Sequence, residues 1–137
     1  MSMFDIPANS LIKKAAEELK KIETIKPPEW SKYCKTGVSR SRPPATKDWW
    51  YIRSASVLRK ICVYGPIGVE KLRTKYGGNK SRGTKPPHFF KGSGNAIRKI
   101  LQQLEKSGLI QQTQKRGHKG RILTPKGKSF LDKLVKK

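Results

Sequence analysis

From Tyr76 the chain reads Tyr-Gly-Gly-Asn-Lys-Ser-Arg-Gly-Thr-Lys, then two prolines, His88-Phe89-Phe90 and Lys91-Gly92-Ser93-Gly94. Glycine has no Cβ, so its backbone N–H can approach an anion closely. Gly77 and Gly78 would offer such N–H groups, with Lys80, Arg82, Lys85 and Lys91 as counter-charge. Ser93 and Gly94 stand just ahead of a helical apolar period, and a helix N-terminus is an anion site. Residues of this kind at this spacing point to phosphate contact; the competing assignment is a flexible, solvated loop. His88, Phe89 and Phe90 either stack on bases or anchor the segment to a core.

Other chemistry finds little support. Beyond Cys34 the acidic residues are Asp48, Glu70, Glu105 and Asp132, and no two are spaced as an acid–base pair on one helix face. Neither His88 nor His118 has a recognisable partner to orient it toward a Ser or Cys nucleophile. Cys34 and Cys62 lie far apart and no CxxC occurs, so neither a zinc site nor a disulfide scaffold is expected. Gly127-Lys128-Ser129 resembles the end of a nucleotide-binding loop, but the glycine that loop requires is Ile122. Gly65-Pro66-Ile67-Gly68 and Gly117-His118-Lys119-Gly120 have the spacing of a KH clamp without its strands. The expectation is no enzyme, no metal and no cofactor. Met1–Ser10 lacks the build of a signal peptide and no apolar run could span a bilayer, which predicts a cytoplasmic protein without membrane contact.

The elements that must position these residues follow from apolar spacing. Leu11, Ile12, Ala15, Ala16, Leu19 and Ile22 mark an amphipathic helix, capped by Asn9 or Ser10, with Glu17 and Lys21 able to pair. Lys26-Pro27-Pro28 ends it, and Glu29–Cys34 reads as a short helix with Trp30 and Tyr33 turned inward. Residues 36–47 form an exposed basic loop carrying Arg40, Arg42 and Lys47. From Trp49 to Tyr64 a helix capped by Asp48 is apolar nearly all round, hence central, with Arg53, Arg59 and Lys60 interrupting it. Val69–Lys75 is a short helix closed by Gly77-Gly78, and Gly77–Gly92 reads as a loop. Ser93 opens a helix whose buried stripe is Ile97, Ile100, Leu101 and Leu104, with Arg98 and Lys99 on it. Leu109-Ile110 and Arg121–Thr124 read as two strands around a loop at Lys115–Gly120, and Pro125 starts a final helix.

Helix, glycine turn, strand, basic loop, strand, Thr-Pro, helix is the order of a winged helix-turn-helix, with residues 93–106 in the recognition-helix position. A plain helical bundle with a surface hairpin is the alternative. The fold expected is therefore mainly α: a winged-helix-like bundle with one β-hairpin wing and an N-terminal helical extension. It is read as a single domain of 1–137, with an arm over 1–34, the basic loop over 35–47 and the winged core over 48–137.

Charge narrows the partner. Up to Cys34 six Lys/Arg face five Asp/Glu; after it 26 face four, so +22 of the net +23 lies in the later part. Such a body repels itself and fits beside a dense polyanion, of which nucleic acid is the commonest.

Asp48-Trp49-Trp50-Tyr51-Ile52-Arg53-Ser54-Ala55-Ser56, Tyr76-Gly77-Gly78, Phe89 with Lys91-Gly92-Ser93, and Leu123-Thr124-Pro125-Lys126-Gly127 closely resemble the nineteen-e family of small-subunit ribosomal proteins. Lys26-Pro27-Pro28-Glu29-Trp30 adds to the likeness, which covers nearly the whole chain; the short termini and Gly65–Glu70 resemble archaeal members more than eukaryotic ones. The resemblance implies a winged-helix core around a central helix, rRNA binding in the head of the small subunit and, in eukaryotic members, a need for the protein in subunit maturation. It also implies a role in ribosome incorporation for Arg53, Arg59 and Arg98. The RNA-binding residues expected are Arg40, Arg42, Lys47, Arg53, Arg59, Lys60, Gly77, Gly78, Lys80, Arg82, Lys85, His88, Lys91, Ser93, Arg98 and Lys99. The partners expected are small-subunit rRNA and neighbouring small-subunit proteins, on the cytoplasmic ribosome. With no heptad arm for pairing, the free chain is expected to be a monomer. The other function the topology allows is a winged-helix DNA-binding transcription regulator.

Overall fold

A computed structural model describes residues 2–115 and 117–136. Helix α1 (Ala8–Leu19) buries Leu11, Ala15, Ala16 and Leu19, as its spacing predicts. It begins two to three residues earlier than a cap at Asn9 or Ser10 implies. Pro7 takes the N-cap position, so Asn9 and Ser10 fall inside the first turn and cap nothing. Lys21 pairs with Glu18, at 3.0 Å, and not with Glu17. After the prolines a single 3-10 turn spans Glu29–Lys32. Trp30 packs on the core, but the turn is over before Tyr33, whose ring is 84 % exposed against the inward orientation expected.

Helix α2 (Trp49–Tyr64) buries Trp50, Ser54, Ala55, Val57, Leu58 and Ile61, and packs against α1, helix α4 (Gly94–Lys106) and the second strand of the wing. Asp48 stands at its N-cap without a capping bond; its carboxylate is drawn to Lys20 Nζ instead, at 2.6 Å. Trp50 is the pivot. Its ring meets Trp30 and Trp49 edge-on, with centroids 5.7 and 5.4 Å away, and its Nε1 donates to Gln103 Oε1 of α4 at 2.9 Å. The Gln103 amide in turn donates to the Lys26 carbonyl at 2.7 Å, so one side-chain pair ties α2, α4 and the proline segment together.

Helix α3 is Val69–Tyr76. The segment that follows is not a loop. Strands β1 (Gly78–Arg82) and β2 (Lys85–Phe90) form an antiparallel hairpin turning at Gly83, with Lys80 opposite His88 and Asn79 opposite Phe89. Its composition hides it. Gly, Asn, Lys and Pro are poor strand formers, and Pro86-Pro87 survive because the register breaks between Lys80 and Arg82, where fewer donors are required.

Ser93 caps α4, its hydroxyl accepting from Ala96 N, and α4 buries the apolar stripe expected of it together with Ala96. Strands β3 (Ile110–Lys115) and β4 (His118–Leu123) make the wing, so most of the loop expected at 115–120 is strand; Arg116 lies outside the described residues. Ile67 exchanges both backbone hydrogen bonds with Arg121 (3.1 and 3.3 Å), which pins the wing to the α2–α3 turn. Gly120 is required there: a Cβ would stand 2.7 Å from Ile67 N. Thr124 accepts from Gly127 N, capping helix α5 (Pro125–Lys136), and donates toward the carbonyls of Gly108 and Leu109. A Cβ on Gly127 would collide with the Leu109 carbonyl. These contacts account for the Thr-Pro-Lys-Gly run. The architecture is thus mainly helical, winged-helix-like, with a second hairpin in addition to the wing.

Trp50→Ala should cost about 3–5 kcal/mol, the range for emptying a large aromatic site. Trp50→Phe should recover most of the packing and lose only the Gln103 bond. Gly120→Ala should cost about 1–3 kcal/mol through overpacking. Chemical denaturation of each variant measures these; a Gly120→Ala protein as stable as the parent would contradict the close approach to Ile67.

Candidate nucleic-acid interface

Helical spacing puts Arg53, Ser56, Lys60 and Tyr64 along one stripe of α2. Helix α3 lays Tyr76 against it. The Arg53 guanidinium carbon stands 4.2 Å, and Lys60 Nζ 3.7 Å, from the centroid of the Tyr76 ring. Ser56 Oγ and Tyr76 Oη share a hydrogen bond of 2.6 Å, which fixes the ring. One turn further on, Lys75 Nζ lies 3.7 Å from the Tyr64 ring. At the other end, Arg40 and Arg42 of the basic loop join Arg53, Trp49 and Ile52 around a groove of about 470 Å³. Cations thereby run without interruption from the basic loop along α2 to the end of α3.

Among the described residues, no carboxylate pairs with Arg40, Arg53, Lys60 or Lys75. The ion pairs form elsewhere, with Glu70 taking Arg73 and Lys91, and Glu105 taking Arg121. What holds the α2 cations is aromatic ring faces, which attract charge without neutralising it. The cost appears in their acidity. Burial first, then Arg53, Lys75 and Arg59, push the Lys60 ammonium below the ordinary lysine value. Burial likewise lowers Arg53, with Tyr76 opposing and Arg40 adding to the fall. Burial raises the Tyr76 phenol, so it keeps its proton.

The structure brings together Arg40, Arg42, Arg53 and Lys60 from the expected set. Arg59 lies further round α2, half-buried, and its Nε is buried without a hydrogen-bond partner among the described residues. Lys47 lines a second groove that shares Pro44, Thr46 and Trp49 with the first. Lys80, Arg82, Lys85 and His88 ride on the β1–β2 hairpin, with His88 tilted against Phe90 at 4.7 Å and Arg82 donating to the Pro86 carbonyl. Arg98 and Lys99 are exposed on α4.

Four expected positions have a packing reason of their own. Lys91 is bound to Glu70 at 2.9 Å, and Lys91 and Arg73 together hold that carboxyl below the usual range. The space a side chain would take at Gly77 is filled by the Phe90 carbonyl and the Phe89 ring, 2.5 and 2.7 Å from a Cβ. Gly78 faces Ser39 of the basic loop. Ser93 N donates to the Thr36 carbonyl at 3.0 Å, so part of the α4 N-terminus is covered by that loop. These glycines serve the close docking of chain segments, and the phosphate approach envisaged for them has a competitor in the protein itself. Sequence reasoning overlooked Tyr76, Tyr64 and Lys75. The 53-56-60-64 spacing was available as a signal, although only the α2–α3 contact reveals the platform. Burial and Asp132 raise the Cys62 thiol, which favours its protonated form.

Sequence comparison now decides the family. The profile described as "Ribosomal protein S19e" matches residues 2–137. This chain belongs to the S19e family. The small ribosomal subunit protein eS19 of the archaeon Aeropyrum pernix is 46 % identical over 134 residues, covering 96 % of this chain and 86 % of its own. The eS19 of Thermoplasma acidophilum is 42 % identical, covering 96 % and 85 %, and the eS19G of Ascaris suum 41 %, covering 98 % and 89 %. An S19e protein is a structural constituent of the ribosome and not an enzyme, which favours the ribosomal reading over the transcription-regulator alternative. No described helix of this S19e chain is long and apolar enough to cross a membrane.

Lys60 supplies a test of the electrostatics. Its charge is disfavoured in the folded state, so that penalty is fully present below its folded midpoint and lifts as pH rises toward the unfolded value. The Lys60 contribution should therefore rise through the alkaline limb, against the loss from Tyr76 and Cys62, whose protons the fold retains. Lys60→Met should remove that contribution, so that stability falls more steeply with pH than in the parent. Titration by NMR of labelled Lys60 should give a midpoint below the ordinary lysine value, and addition of a polyanion should move it up. A midpoint at or above that value in the free chain would contradict the cluster.

Proposed function

We propose that this chain is a monomeric protein when free that binds small-subunit rRNA in the head of the subunit, beside neighbouring ribosomal proteins, and supports subunit assembly in the cytoplasm. The observation that carries this is the cationic tract Arg40–Arg53–Lys60–Lys75, its last three members held on tyrosine faces and none of the four paired with a carboxylate among the described residues. A phosphate chain laid along it relieves the repulsion and releases counterions. Arg42 joins the tract beside Arg40, and Lys47, Arg59, Lys80, Arg82, Lys85, His88, Arg98 and Lys99 extend the contact beyond it, which suits an enclosing RNA better than one groove of a duplex. Specificity then comes from RNA shape more than from base edges. A net charge of +23 opposes self-association, which supports the monomer.

Charge reversal along the tract tests this directly. Arg53→Glu combined with Lys60→Glu should abolish co-sedimentation with small subunits at moderate salt. Arg98→Ala should leave the melting temperature unchanged and lower the slope of log affinity against log salt by about 1. A folded double variant that co-sediments as the parent does would overturn the assignment.

A further inference from the structure

The second groove, about 410 Å³, is lined by Pro27, Pro43, Pro44, Ala45 and Trp49, with Lys32 and Lys47 also on its walls. We infer that it is a capture site for one unstacked nucleobase of RNA, with the flanking phosphates on Lys32 and Lys47. The inference rests on the RNA-binding function proposed above and adds a site to it.

The walls are pre-organised. Three prolines have fixed φ and lose little freedom when a ligand enters. Trp49 is held by its edge contact to Trp50, which Trp30 and Gln103 lock in turn. Its indole is therefore a fixed ring, and aromatic rings take any base by stacking. The three prolines offer a peptide chain lying along them no backbone N–H, and the Ser31 hydroxyl, also on the wall, already donates to the Pro28 carbonyl. A base needs only a stacking face and leaves its edges toward the open mouth. Charge selects the same occupant. Lys32 and Lys47 favour an anion, and the neighbouring Asp48 carboxylate is already taken by Lys20 at 2.6 Å. The groove also meets the Arg40–Arg42–Arg53 groove at Pro44, Thr46 and Trp49, so a strand entering from the cationic tract reaches it directly.

The probe is a single-stranded RNA heptamer with 5-bromouridine at its centre, irradiated with the full chain at low salt and mapped by mass spectrometry. The crosslink should fall on Trp49 or on residues 43–47. Ala45→Phe fills the groove from an exposed position. It should reduce that crosslink at least fivefold, the lower bound for one base–aromatic stack, while the variant is still retained on small-subunit RNA at low salt through the α2 tract. Crosslinks confined to the β1–β2 hairpin or α4, or an unchanged yield in Ala45→Phe, would overturn the groove assignment and leave the ribosomal function standing. Displacement of the heptamer from the groove by a Glu/Trp-rich peptide, with none by an unlabelled heptamer, would overturn it in favour of a protein partner. Failure of both the heptamer and small-subunit RNA to bind would instead overturn the RNA-binding function.

Discussion

Unneutralised positive charge on one side of α2 is the constraint around which this molecule is arranged. Arg53 and Lys60 share the ring of Tyr76, Lys75 rests on Tyr64, and Arg40 closes on Arg53 from the loop side. Ring faces satisfy these cations only partly, and burial makes their charge more costly still. A free protein therefore carries repulsion that an anionic partner removes. Binding and stability are linked in the same direction, as for any ligand that prefers the folded chain.

Such a surface needs a rigid backing, and α2 provides it with its other side. Trp50, Leu58 and Ile61 are sealed into the core, and the Trp50–Gln103–Lys26 chain of hydrogen bonds fixes α2 against α4 and the proline segment. Close glycine contacts do the same for the loops. Gly37 bridges Gly92, Gly78 meets Ser39, and Gly120 lies on Ile67. The start of the basic loop, residues 36–39, is thus docked against Gly78, Gly92 and Ser93 and is not a free tether. Positioning the cations in advance spares the chain the entropy of ordering them on RNA.

Much of this was legible in the sequence. The apolar residues on all sides of Trp49–Tyr64 announced a central helix, and the Ser93 cap, the Ser-Gly stop and the Thr-Pro start marked α4, the wing and α5. The hairpin β1–β2 was not legible. Its residues are poor strand formers, and an exposed two-stranded ribbon requires no apolar alternation to bury a face. Tyr33 was placed inward on helical spacing that ended one residue too soon. For the interface, charge pointed to the right loops and to α2. It did not reveal Tyr76, because a cation platform built from α2 and α3 exists only once the two helices meet. Nor did composition separate glycines that approach an anion from glycines that approach another stretch of backbone.

Lysine acetylation, followed by mass spectrometry on the free chain and on intact small subunits, tests the central electrostatic claim most directly. If the α2–α3 tract faces RNA, Lys60 and Lys75 lose most of their reactivity on incorporation, while Lys21, paired with Glu18 on α1, loses little. Equal reactivity of Lys60 and Lys75 in both states would contradict the account.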